Sequence, residues 1–113
     1  MALSIKPYIE NKERIHLIGI GGVSMNSLGE LLLSRGVPIS GSDRLRTDVT
    51  ARLEALGAKI TYEHKPENVE GASLIVRTAA VHDDNPEIVR AHELGIPVME
   101  RAEAWGHLMR DYD

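Results

Sequence analysis

Cysteine and phenylalanine are both absent from the 113 residues. Without cysteine there is no disulfide, no thiolate metal ligand and no cysteine nucleophile. Without phenylalanine, and with aromatics at only 4%, the core has to be aliphatic. No apolar run is long enough to cross a bilayer, and no signal-peptide pattern opens the chain, so no membrane contact and a cytoplasmic location are expected. Positive charge is scarce too: 13 Lys and Arg stand against 17 Asp and Glu, a net charge of -4. That balance argues against nucleic acid or an anionic membrane surface as a partner. What is left is 42% hydrophobic and 27% charged. This is the composition of an ordinary globular domain, and the length suffices for one real core.

The chain is organised around Ile15-His-Leu-Ile-Gly-Ile-Gly-Gly-Val-Ser-Met25. Ile15 to Ile20 reads as a strand. Gly19, Gly21 and Gly22 break it, and a helical pattern opens at Ser24 or Met25. A strand that turns through glycines into a helix builds a phosphate site, because the backbone can be approached closely and the helix start offers free N–H groups and a positive dipole end. The spacing Gly19-x-Gly21-x-x-Ser24 nearly meets the dinucleotide fingerprint, with Ser in place of the third Gly.

Before this stretch, residues 1–13 read as a polar lead-in, with Ile5, Tyr8 and Ile9 packing locally. After it, strands alternate with helices. The first helix runs to Ser34, with Leu28, Leu31 and Leu32 toward the sheet and Gly36 as its stop. Strand two is Pro38 to Ser42. Helix two, Asp48 to Leu56, is capped by Thr47, with Val49, Leu53 and Leu56 facing inward. Strand three is Ala58 to Tyr62 and strand four is Ser73 to Arg77. Asn85-Pro86-Glu87 starts helix three, as cap, first-turn proline and an acid at the positive dipole end. Strand five, Ile96 to Met99, carries Pro97 and suits an edge. A last helix spans Arg101 to Arg110, with Ala104, Leu108 and Met109 inward. Such alternation predicts an α/β fold: a Rossmann-like three-layer sandwich on a five-stranded parallel sheet of order 3-2-1-4-5.

That order gathers certain residues at the strands' carboxyl ends, where ligands bind in such sheets. They are the glycine turn, Asp43 about twenty residues on, His64, and the small residues from Thr78. Asp43 stands where an acidic residue reaches a ribose hydroxyl. His64 is either an exposed loop residue or a ring offered to a ligand. His16, inside strand one, reads as a structural histidine. His82, Asp83 and Asp84 are consecutive and do not converge on one ion, so no metal site is expected. The convergence points to a nucleotide or dinucleotide without choosing between them.

A resemblance chooses. The glycine stretch resembles the N-terminal domain of the Mur ligases of peptidoglycan synthesis. So do Ser-Gly-Ser-Asp at 40–43, Leu-Gly-Ala at 56–58, His64-Lys-Pro-Glu-Asn68, Arg-Thr-Ala-Ala-Val at 77–81, Asp-Asn-Pro-Glu-Ile at 84–88 and Arg-Ala-Glu at 101–103, in that order. The resemblance runs from about Arg14 to Arg110 and implies a UDP-binding domain over 14–113. The ligand it implies is the UDP part of UDP-N-acetylmuramate, and the whole enzyme would join L-alanine to the muramate carboxylate using ATP and Mg. Gly21, Gly22, Val23, Ser24, Met25 and Asn26 match the diphosphate loop. Ser42, Asp43, Arg44, His64, Thr78, Ala79, Ala80 and Val81 match the loops around uridine and its phosphates. The sequence departs from the pattern at Val23 and Ser24, where the family has Gly or Ala, and at Asn26. Ser24 is then either a phosphate donor or a cap of the first helix.

No Gly-x-x-x-x-Gly-Lys-Ser/Thr occurs. The expectation is an excised domain without cofactor of its own, lacking the central ATP-binding and C-terminal domains that would be its partners, and inactive alone. The rivals are an NAD(P)-binding oxidoreductase or redox sensor, an interaction module with an empty site, and a sibling ligase that attaches a peptide to the same UDP-sugar.

Overall fold

The computed structural model describes residues 4–109. Five parallel strands form one sheet in the order β3-β2-β1-β4-β5. They are β1 (Ile15–Ile18), β2 (Ile39–Ser42), β3 (Lys59–Thr61), β4 (Leu74–Arg77) and β5 (Val98–Glu100). Helices α1 (Lys6–Glu10), α2 (Val23–Ser34), α3 (Asp48–Ala55), α4 (Pro86–Glu93) and α5 (Arg101–Met109) surround it, with a 3₁₀ turn over Pro66–Val69. The expected order of the sheet is the observed one.

All four residues of β1 are buried, as a central parallel strand covered on both faces requires. Alternate residues feed two cores. Ile15 and Leu17 pack with Met25, Leu28, Leu32, Leu53, Ala104 and Leu108, the layer of α2, α3 and α5. Ile18 packs with Ile75, Val69, Ile88 and Ala91, the layer of α4 and the 3₁₀ turn. In register, His16 lies beside Ser40 and Ile18 beside Ser42. By the strand period of two, His16, Ser40 and Ser42 therefore form a polar strip on the face that α4 covers.

Several expectations need correcting. Residues 1–13 are not merely a polar lead-in: Lys6–Glu10 is helical, and Ile5 is fully buried against the main core. β1 stops at Ile18, because Gly19 takes a φ of +76°, a conformation that ends a strand. Helix α2 starts at Val23, with Gly22 as its cap. Within α3 only Leu53 of the three expected residues is buried; Val49 and Leu56 are exposed. The 3₁₀ turn had no counterpart in the sequence reading. The last helix is described as far as Met109; Arg110, the tail to Asp113 and the side chain of Met109 lie outside the described residues.

Candidate nucleotide site

The glycine turn is held from beneath by β2. The Ser42 carbonyl accepts the N–H groups of Gly19 at 2.7 Å and of Ile20 at 3.1 Å. Gly22 N–H returns to the Gly19 carbonyl at 2.9 Å, and Asn26 N–H opens the helical ladder on the Gly22 carbonyl at 2.8 Å. The N–H groups of Val23, Ser24 and Met25 have no such acceptor among the described residues. Three free donors at the start of a twelve-residue helix favour an anion. A cation stands beside them: Arg101, the first residue of α5, donates to Ser24 Oγ at 2.6 Å.

Asp43 approaches the same turn from β2. Its Oδ2 accepts the Gly21 N–H at 2.9 Å, and its Oδ1 accepts the Leu45 N–H at 3.2 Å. A Cβ on residue 21 would lie 2.8 Å from Asp43 Oδ2 and 3.0 Å from Thr50 Cγ2. A side chain there would force Asp43 or Thr50 to shift, quite apart from any ligand.

Under the sheet's carboxyl edge lies a buried carboxylate. Glu87, in the first turn of α4, is fully buried. Three side chains converge on it from the polar strip and from the loop after β3. His16 Nε2 and Ser42 Oγ donate to Oε1, the latter at 3.0 Å, and His64 Nδ1 lies 2.9 Å from Oε2. His16 Nδ1 pairs in turn with Ser40 Oγ at 2.9 Å. Burial pushes the Glu87 carboxyl up, but the hydrogen bond and charge of His16, then the bonds from Ser42 and His64, outweigh it and hold its pKa lowered.

Beside this cluster opens a cleft of about 760 Å³. Arg44 comes from the end of β2, Tyr62, Glu63 and His64 from the end of β3, Ala80 to His82 and Asp84 from the loop after β4, and Asn85 and Pro86 from the start of α4. Arg46 lies over the Tyr62 ring at 4.4 Å. The loop after β4 is tied down by Arg77, which donates to the Val81 carbonyl and, at 2.5 Å, to Asp83. That bond, then the guanidinium charge, lowers the Asp83 pKa.

The structure thus divides the expected site residues. Arg44, His64, Ala80 and Val81 line one cleft. Gly21 to Asn26 form the neighbouring turn and are not part of its wall. Two expected contacts are turned inward: Ser42 is fully buried, serving Glu87 and His64, and the Met25 side chain belongs to the core, leaving its N–H to the turn. Asn26 spends its side-chain amide on the carbonyls of Gly22 and Val23, at 2.8 and 2.9 Å. Ser24 does not cap α2; Gly22 does. Thr78 gives its carbonyl to Val81 N–H at 3.1 Å, and Ala79 is exposed. Asp43 is engaged by the glycine turn and the Leu45 N–H. Sequence reasoning missed Glu87 and Arg101 as parts of this region.

Residues 14–113 match the profile described as Mur ligase family, catalytic domain. The UDP-N-acetylmuramate–L-alanine ligase of Clostridium novyi (strain NT) is 47% identical over 103 residues, covering 91% of this chain and 22% of that protein. The enzyme of the same name from Alkaliphilus metalliredigens (strain QYMF) is 50% identical over 101 residues, 89% of this chain and 22% of that protein. Among solved structures, the UDP-N-acetylmuramate-alanine ligase MurC of Thermotoga maritima superposes with a TM-score of 0.77 at 38% identity, over 88% of this chain and 22% of that one. The chain spans about a fifth of the length of the relatives it matches.

Proposed function

We propose, from the premise that this chain belongs to the Mur ligase family, that it is the N-terminal substrate-anchoring domain of a UDP-N-acetylmuramate–L-alanine ligase. The observation that carries this is the glycine turn. Three helix N–H groups without a backbone acceptor stand at this turn, and the Arg101 guanidinium reaches its Ser24, in a chain about half identical to ligases named for a UDP-sugar. The diphosphate takes the turn, and the nucleoside lies in the cleft walled by Arg44, His64, Ala80 and Val81.

The anchor acts at a distance. Binding energy from the non-reacting nucleotide orients the carboxylate that reacts elsewhere. The residues of this chain do not fit ATP or Mg. There is no P-loop sequence, and among the described residues no group of three His, Asp or Glu side chains is placed to hold a metal. We assign both to other parts of the ligase.

Asp43, the residue on which the NAD(P) reading relies for a ribose, already braces the loops through one backbone N–H on each carboxylate oxygen. Calorimetric titration with UDP-N-acetylmuramate, UDP, NAD and NADP separates the readings. Heat from the uridine ligands alone is expected; heat from NAD or NADP alone overturns the assignment.

A further inference from the structure

Glu87 is a costly residue for a structural role. A fully buried carboxylate must be matched by donors, and three side chains from three separate segments are given over to it. Two of its partners are histidines in different situations. His16 has both ring nitrogens engaged and is sealed at 1% exposure. His64 has only Nδ1 engaged. Its side chain is 17% exposed and lines the cleft, and Nε2 has no hydrogen-bond partner among the described residues.

We propose that Glu87 is a positioning residue that holds His64 as the Nδ1–H tautomer. Nε2 then stands in the cleft as a bare acceptor that selects a ligand N–H or O–H. Ser42 Oγ donates its hydrogen to Glu87 Oε1, so it offers His64 Nδ1 only lone pairs, at 3.1 Å. Glu87 Oε2 offers the same at 2.9 Å. A bare Nδ1 would face two acceptors, so the proton belongs on it, and in a neutral imidazole the other nitrogen is then unprotonated. The ligand identity rests on the function proposed above. There, two groups can supply the donor: the imide N–H of uracil, which cytosine replaces by an acceptor, and the ribose 2′-hydroxyl, which UDP and CDP share.

The tautomer is read without ligand, from the ¹⁵N shifts of His64 in the whole chain at alkaline pH. A protonated Nδ1 and bare Nε2 are expected; a protonated Nε2 overturns the proposal. In Glu87→Gln the amide presents an N–H, and the His64 proton should move toward Nε2; an unmoved tautomer shows that Glu87 does not set it. Should that variant not fold, the tautomer of the unmodified chain and the ligand preference of His64→Ala, which leaves Glu87 with His16 and Ser42, carry the test. Titrations with UDP, CDP and 2′-deoxy-UDP then find the donor. About tenfold weaker CDP places the imide on Nε2, and a similar loss for deoxy-UDP places a ribose hydroxyl there. Either preference disappears in His64→Ala. Equal affinity for all three in the unmodified chain overturns the selecting role. Silence from all three overturns the nucleotide reading itself, a failure distinct from a wrong tautomer.

Discussion

The Asp43 carboxylate and the Gly21 N–H meet at 2.9 Å, joining the end of β2 to the turn after β1. With the second bond to Leu45 N–H, this makes Asp43 a brace of the loops. Asp43→Ala strands two backbone donors and should lower stability by about 1–3 kcal/mol in urea unfolding. Asp43→Asn should cost less, because the amide keeps one acceptor. The close approach adds a coupling. Gly21→Ala forces a Cβ against Asp43 Oδ2, so it should destabilise the unmodified chain more than it destabilises Asp43→Ala. Equal costs in both backgrounds would show that Thr50, the other neighbour, sets the limit at residue 21.

Glu87 makes a pH prediction. Its folded pKa lies below the ordinary value of 4.5. A depressed carboxyl contributes stability that is fully present above 4.5 and is lost as pH falls through the lower folded value. Glu87→Gln never has this contribution. The unmodified chain should therefore be the more stable of the two at neutral pH, and the gap should narrow on acidification below 4.5. Urea midpoints at a series of pH values measure it. Asp83, also lowered, titrates in both proteins and drops out of the comparison.

The sheet order could be read in the sequence because it depends on local signals that agree: apolar runs, glycine stops, and caps at Thr47 and Asn85 that form as expected. Glu87 was read from the same local signals, as an acid at a helix start, and that reading is incomplete. Its role depends on where the first turn of α4 crosses β1 and β2, a tertiary fact that no helix pattern encodes. A trace was nevertheless present. His16, Ser40 and Ser42 recur at alternate positions of two buried strands, and a polar strip in an aliphatic sheet demands a polar partner from the helix that covers it. Arg101 was missed for a similar reason. It begins α5 after the edge strand β5, yet the fold brings it to Ser24, 77 residues earlier.

Arg101 should show itself in phosphate recognition. Under the proposed function its guanidinium adds charge to a turn whose other donors are backbone N–H groups. Arg101→Met should weaken UDP by about tenfold and uridine hardly at all, since only the former carries phosphate. Ser24→Ala removes the hydroxyl that Arg101 holds and should have a smaller effect. Uridine and UDP weakened alike would place Arg101 outside the phosphate subsite.

Helix α3 separates pattern from packing. Val49, Leu53 and Leu56 share a helical period and were expected to face inward together, but α3 presents only Leu53 to the core, at 2% exposure, while Leu56 is 50% exposed. The buried face lies between Leu53 and the fully buried Thr50, so the helix is turned away from Val49 and Leu56 at the other margin of the stripe. Leu53→Ala should then cost about 2–5 kcal/mol, the sum of lost transfer energy and a cavity lined by atoms that cannot follow. Leu56→Ala removes the same atoms from a half-exposed site and should cost only about 1 kcal/mol. Paired urea denaturation of the two variants makes the comparison. Equal losses would mean that the helix is rolled toward Leu56 and that the stripe, read as a period, was the better guide to its buried face.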